Sequence, residues 1–159
     1  MSDNVMEAAG TPGREAERPT WFSAEPGPPG MTRERFAAYI EAFNSQDPDR
    51  FALEFFDPDI TFERRDRRFT RGRDQYVAEY RASHDGLLEI LRPQRVLFDG
   101  ESIAMEVNVD FVAEKDQPDF IILPMSAGES IVVKLGVFYT VRDGRITYVK
   151  SFRWNPGQQ

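Results

Sequence analysis

At Gly86 the spacing of apolar residues changes from a helical period to a strand period, and this change constrains the fold more than any other feature of the chain. Before it, Phe36, Tyr39, Ile40 and Phe43 recur at i, i+3, i+4 and i+7, one apolar stripe on a helix predicted from about Thr32, a fitting N-cap, to Asn44. "QDPDRF" restarts a helix, with Asp47 as N-cap, Pro48 in the first helical position and Asp49 at the positive end of the dipole. That helix buries Phe51, Phe55 and Phe56 and ends at "DPD". "ITFER" then reads as a strand, and "RRDRRFTRG" as a polar turn with a short return strand. A third helix, about Arg73 to His84, carries Tyr76, Val77 and Tyr80 on one side. After Gly86, "EILRPQRVLF", "SIAMEVNVDFVAE", "SIVVKLGVFYTV" and "RITYVKSFRW" are four strand-like runs, and "DGE" and "RDG" are tight-hairpin signals. Helices followed by a long antiparallel meander predict an α+β domain, with the helices against one face of a curved sheet.

The rest of the composition narrows the function. A chain of 159 residues with 40% apolar content is long enough for one domain with a real core. It has no cysteine, so it can build neither a disulfide framework nor a thiolate metal site, and its single histidine, His84, excludes zinc sites made of several imidazoles. A formal charge of −7 argues against nucleic acid as a partner, since phosphate must be met by positive charge. No apolar run is long enough to span a membrane and the first residues lack a signal-peptide core, so a soluble, cytoplasmic protein is expected. Residues 1–30, rich in proline and glycine, are expected to form a flexible arm, with Trp21 and Phe22 its only large apolar side chains. Residues 31–156 form the predicted domain.

The run "YIEAFNSQDPDRFALEFFDPDITFE", Gly72 opening the third helix, and the closing "GVFYTVRDGRITYVKSF" together resemble the nuclear transport factor two-like superfamily, in its SnoaL-like and ketosteroid isomerase-like branch. The resemblance implies a cone: a bent sheet and helices enclosing one apolar pocket, in a homodimer paired through the sheet. It also implies a small hydrophobic substrate and no cofactor or metal. Tyr39 falls on the family's oxyanion-hole tyrosine and Glu63 on its general-base carboxylate. Physically, a carboxylate at the mouth of a dry aromatic pocket is desolvated toward a proton affinity useful for taking a carbon-bound proton. A phenol opposite it can donate to the oxygen on which charge develops. Where ketosteroid isomerase places a second, protonated acid, a worked case of general acid–base tuning, "LGVFY" offers only apolar residues and Tyr139.

Each candidate also has a plain structural reading. Glu63 can pair with the arginines that follow it, and Tyr39 can be a core tyrosine. His84 extends the Tyr76–Tyr80 side of its helix toward the cone mouth, or simply caps the helix in solvent. On "SIAMEVNVDFVAE" one face is Ile103, Met105, Val107, Val109 and Phe111 and the other Glu106, Asn108 and Asp110. Periodicity alone gives the polar face to water, whereas the resemblance turns it toward the pocket and makes Asp110 a second acid–base group. On the last strand the parity of Val149, Ser151 and Arg153 matches the family's pocket wall, where an arginine could hold a substrate oxyanion. The resulting expectation is a catalytic set of Glu63, Tyr39, Asp110 and His84. Asn108, Ser151, Arg153, Tyr80 and Phe43 would contact substrate. The alternatives are a non-catalytic binding or assembly module of the same fold and, third, an epoxide-hydrolase-like enzyme, for which one of three aligned positions keeps a carboxylate. "DQPDFIILPMSAGE" reads as a long apolar hairpin connection, a lid or a packing segment.

Overall fold

Helix α1 spans Arg33–Asn44, and Thr32 caps it: its hydroxyl accepts from the Arg35 amide at 3.1 Å. In the computed structural model the described residues are Phe22, 27–63 and 69–154; Trp21 and the arginines at 64, 65, 67 and 68 lie outside them. Helix α2, Pro48–Phe55, begins as the sequence predicts, with the Asp47 carboxylate accepting from the amides of Asp49 and Arg50 at 3.1 and 3.3 Å. Strand β1 (Phe56–Glu63) and the short β2 (Phe69–Arg71) follow, then α3 (Arg73–Ser83). The long strands β3 (Leu87–Asp99), β4 (Ser102–Ala113), β5 (Ser130–Arg142) and β6 (Arg145–Arg153) complete the chain. No helix among the described residues is long and apolar enough to cross a membrane.

The six strands form one curved, open sheet in the order β2-β1-β6-β5-β4-β3. All pairings are antiparallel except β1 with β6, which run parallel and so bring the first strand beside the last. The β5–β6 hairpin turns on Asp143 and Gly144, both at positive φ (52° and 72°), the two-residue turn whose twist suits the flanking strands. Gly144 is also needed for space, since a Cβ there would lie 2.6 Å from the Gly30 carbonyl oxygen.

The helices cover one face of the sheet. On β4, Ile103, Met105, Val107, Val109 and Phe111 are buried against them, joined from β5 by Val133, Val137, Tyr139 and Val141. Phe51 of α2 sits at the centre of the aromatic layer, with ring centroids 4.8 Å from Phe43, 5.4 Å from Tyr80 and 5.8 Å from Phe56. Strand β3 is a sheet edge, and the turn between α1 and α2 covers it. The Asn44 side-chain amide donates to the Leu91 carbonyl (2.9 Å) and accepts from the Leu91 amide (2.7 Å). Gln46 does the same two residues along, donating to the Glu89 carbonyl at 2.7 Å and accepting from its amide at 3.1 Å. Two side chains thus replace the missing neighbouring strand. Further along the edge, Phe22 bridges to Val96 and stacks on Phe98 at 5.4 Å.

Candidate active site

The inner face of the sheet, the one beneath the helices, is apolar except at a few positions, and these define the site. Glu89 pairs with Phe111 in the β3–β4 register, so its side chain shares the inner face with the buried row of β4. His84, the residue that caps α3, stacks on Tyr80 at 3.8 Å and points Nε2 at Glu89 Oε2, 2.7 Å away. A hydrogen on Nε2 satisfies this contact in both the neutral and the protonated ring. Nδ1 lies 2.9 Å from both the Tyr80 carbonyl and the Ser83 hydroxyl. Both His84 nitrogens are therefore engaged, whereas Glu89 Oε1 has no protein partner among the described residues. The Tyr80 hydroxyl donates to Gln46 Oε1 at 3.2 Å, which joins the same network to the backbone of Glu89. Gln46 holds a φ of 62°, an unusual conformation for a side chain of this size, to reach both partners.

Deeper in, phenols replace carboxylates. Tyr39 and Tyr139 are both 3% exposed, and their rings meet edge-on with centroids 5.9 Å apart. Burial, chiefly, raises the proton affinity of both, with Glu89 among the charges that add to it. Tyr80 is raised by the same two causes in the same order. Phe43 packs between Tyr39, Phe51 and Tyr80 as part of this aromatic wall. Tyr76 stacks on Phe62 at 4.2 Å. Phe62, Tyr76, Ile131 and Leu135 are only partly buried, so the inner face keeps access to solvent at this end.

At the far end of the sheet, Ser151 pairs with Val137 and Arg153 with Leu135, so both lie on the inner face. The connection between β4 and β5 folds Phe120 onto Phe111 (4.9 Å), with Ile122 partly buried, while Ile121 stays 84% exposed. Among the described residues no three His, Asp or Glu side chains are grouped to hold a metal ion.

Three expected positions lie on the other face. Phe62, which packs on the helices, pairs with Val149; Glu63 therefore points outward with its partner Lys150. There its carboxylate accepts a hydrogen bond from Tyr148 and stands 3.1 Å from Lys150 Nζ. The bond from Tyr148 first, then Lys150, holds the Glu63 carboxyl below its ordinary value, the reverse of the desolvated acid expected from the resemblance. Asn108 and Asp110 are outward too, because Val107, Val109 and Phe111 occupy the inner face, and Asp110 pairs with Arg92 at 2.5 Å. The alternation of β4, and not the resemblance, fixed their side. Glu89 was missed because "LLEIL" is apolar at both parities, which hides an inward carboxylate.

Residues 36–149 match the sequence pattern of the SnoaL-like domain. The chain belongs to the SnoaL-like domain family. Among solved structures, a candidate polyketide cyclase from Xanthomonas campestris pv. campestris is 28% identical, with a TM-score of 0.65 over 77% of this chain and 88% of that one. A candidate polyketide cyclase from Pseudomonas putida is 23% identical, with a TM-score of 0.61 over 77% and 90% of the two chains. An epoxide hydrolase of the LEH-like kind from M. tuberculosis, 16% identical with a TM-score of 0.60 over 76% and 80%, shares the fold. No curated protein sequence matches the chain. Membership of the SnoaL-like family supports a cyclase- or isomerase-type role.

Proposed function

We propose that this SnoaL-like chain is a small enzyme that moves protons with its own side chains on a hydrophobic, oxygen-bearing substrate of polyketide or terpenoid kind. The observation that carries the reading is the inner-face carboxylate of Glu89, anchored by His84 at 2.7 Å with its second oxygen unpartnered. Glu89 Oε1 takes a proton from the carbon next to a substrate carbonyl. Tyr139, buried on the inner face, donates to the carbonyl oxygen as negative charge develops there. His84 and Tyr39 are positioning residues in this scheme: one fixes the carboxylate, the other packs edge-on against the donor's ring. Return of the proton from Glu89 to another carbon gives an isomer, attack of the enolate on a second carbonyl carbon of the substrate, whose oxygen then takes the proton, gives a ring, and departure of a β-hydroxyl as water with that proton gives a dehydrated product.

The epoxide-hydrolase-like alternative loses support, because Asp110 is engaged with Arg92 on the outer face. The binding-module reading draws on the aromatic layer of Phe36, Phe43, Phe51, Phe55 and Phe56, which fills the space nearest the helices. A homodimer through the outer face belongs to the same proposal, since Val132, Phe138 and Phe152 are 51–56% exposed there.

Substrate identity is not needed for a first test. In heavy water, the protein is incubated with a simple enolisable ketone such as 2-tetralone, and loss of the proton next to the carbonyl is followed by NMR. The wild-type chain should accelerate exchange, and Glu89→Gln should lose about a hundredfold or more of that acceleration. Equal rates with wild type, Glu89→Gln and no protein favour the binding module.

A further inference from the structure

The side-chain amide of Gln46 has two donor and two acceptor positions, and all are occupied. Its Oε1 accepts from the Glu89 amide at 3.1 Å and from the Tyr80 hydroxyl at 3.2 Å. Its Nε2 donates to the Glu89 carbonyl at 2.7 Å and to the Asn44 carbonyl at 3.3 Å. The plain reading is cover for the sheet edge, the task that Asn44 performs at Leu91 with two bonds of its own. Two observations separate Gln46 from Asn44. Gln46 sits in the left-handed region, at φ 62°, a conformation unfavourable for a glutamine and one that Asn44 does not adopt. It also holds Tyr80, a bond that cover of the edge does not require.

That bond closes a ring of four residues. Tyr80 stacks on His84 at 3.8 Å with the ring planes 9° apart, and His84 Nε2 stands 2.7 Å from Glu89 Oε2. Gln46 therefore reaches Glu89 twice, directly at its backbone and through Tyr80 and His84 at its carboxylate. Strand β3 has β4 as its one strand neighbour, and Gln46 supplies the missing side at the residue whose carboxylate points inward. Backbone and carboxylate held together leave Oε1 in one place. A proton acceptor needs this, because misplacement by about 1 Å lowers a rate by about a hundredfold.

We propose that Gln46 is a further positioning residue of the site, which fixes Glu89 and the Tyr80–His84 stack as one unit. The effect on rate rests on the proton-transfer reading; the ring itself does not.

The test reads the two separately. His84 is the single histidine, so in the untagged chain every imidazole signal in the proton NMR spectrum belongs to it. In wild type the stacked Tyr80 should move the His84 ring signals upfield, and the Glu89 backbone amide should resist exchange with solvent. Free-imidazole shifts or a rapidly exchanging amide overturn the ring without any variant having to fold. Gln46→Asn and Gln46→Gly both accept the positive φ, so they keep the turn while losing the reach to Tyr80. Both should return the His84 signals toward free-imidazole values. Both should also lower kcat for 2-tetralone exchange about ten- to a hundredfold with KM unchanged. Asn44→Ala, which removes the pair of edge bonds at Leu91, should keep the His84 signals and kcat. Gln46 variants that behave as Asn44→Ala does overturn the proposal and leave Gln46 as edge cover. A raised KM with kcat unchanged also overturns it, and makes Gln46 a substrate contact. Loss of the His84 shifts in the variants, with no exchange even in wild type, supports the ring and overturns the proton-transfer reading alone.

Discussion

Tyr148 donates a hydrogen bond to Glu63 on the outer face, and the contact moves both titrations in opposite directions: the carboxyl lies below its ordinary value and the phenol is pushed up to about 12. The stabilisation from Glu63 is present above the ordinary carboxylate value of 4.5 and is lost as pH falls through its lower folded value. That from Tyr148 is present below the ordinary phenol value of 10.0 and is lost as pH rises toward 12. Tyr39, Tyr80 and Tyr139 are raised chiefly by burial and follow the alkaline rule. An ultraviolet titration should therefore show phenolate from these three only as the protein unfolds above pH 10, and Tyr148→Phe should remove one phenol that ionises in the folded state near pH 12. Phenolate from all the tyrosines at the free value, with the fold intact, contradicts the burial. At this scale the sequence was legible where alternation is clean. Phe62 on the core side already implies that Glu63 faces outward. It was illegible where both parities are apolar, as around Glu89, and where a link is made by side chains far apart in sequence, as between Gln46 and Glu89.

Among the helices, α2 touches the most elements, α1, α3, β1 and β6, although it is only eight residues long. Its helix signal was plain in "QDPDRF", and its stability comes from packing: Phe51 is fully buried and meets Phe43, Phe56, Tyr76 and Tyr80. Phe51→Ala removes a ring from a layer of rings that cannot close over the gap. Urea denaturation should show a loss of about 3–5 kcal/mol; a loss under about 1 kcal/mol would mean that the layer is loosely packed. The N-caps at Thr32 and Asp47 and the Asp143–Gly144 turn were also readable, because each is a local rule satisfied within a few residues. The parallel pairing of β1 with β6 was not readable. It joins strands separated by more than eighty residues, and no local pattern records it.

Taken whole, the molecule has two faces of different character. The inner face holds aromatic rings, phenols and one carboxylate–imidazole pair, and the outer face mixes exposed Val132, Phe138 and Phe152 with charges. Burying such apolar side chains against a second copy favours association by the hydrophobic effect. Sedimentation should give a dimer for wild type and a monomer for Phe138→Lys, with the inner site unaffected; a wild-type monomer refutes the assembly. The α+β fold itself was legible from the change of period at Gly86 and from the resemblance. The orientation of the site was not, since a sheet turns every second residue outward and a resemblance of sequence does not record which. The central claim is that proton transfer belongs to Glu89 on the inner face and not to Glu63 on the outer one. Its most direct measurement is the rate of 2-tetralone proton exchange in heavy water with Glu63→Gln set beside Glu89→Gln. Exchange kept near the wild-type rate in Glu63→Gln and reduced about a hundredfold or more in Glu89→Gln is the predicted result. The opposite pattern, with activity lost in Glu63→Gln and kept in Glu89→Gln, contradicts it.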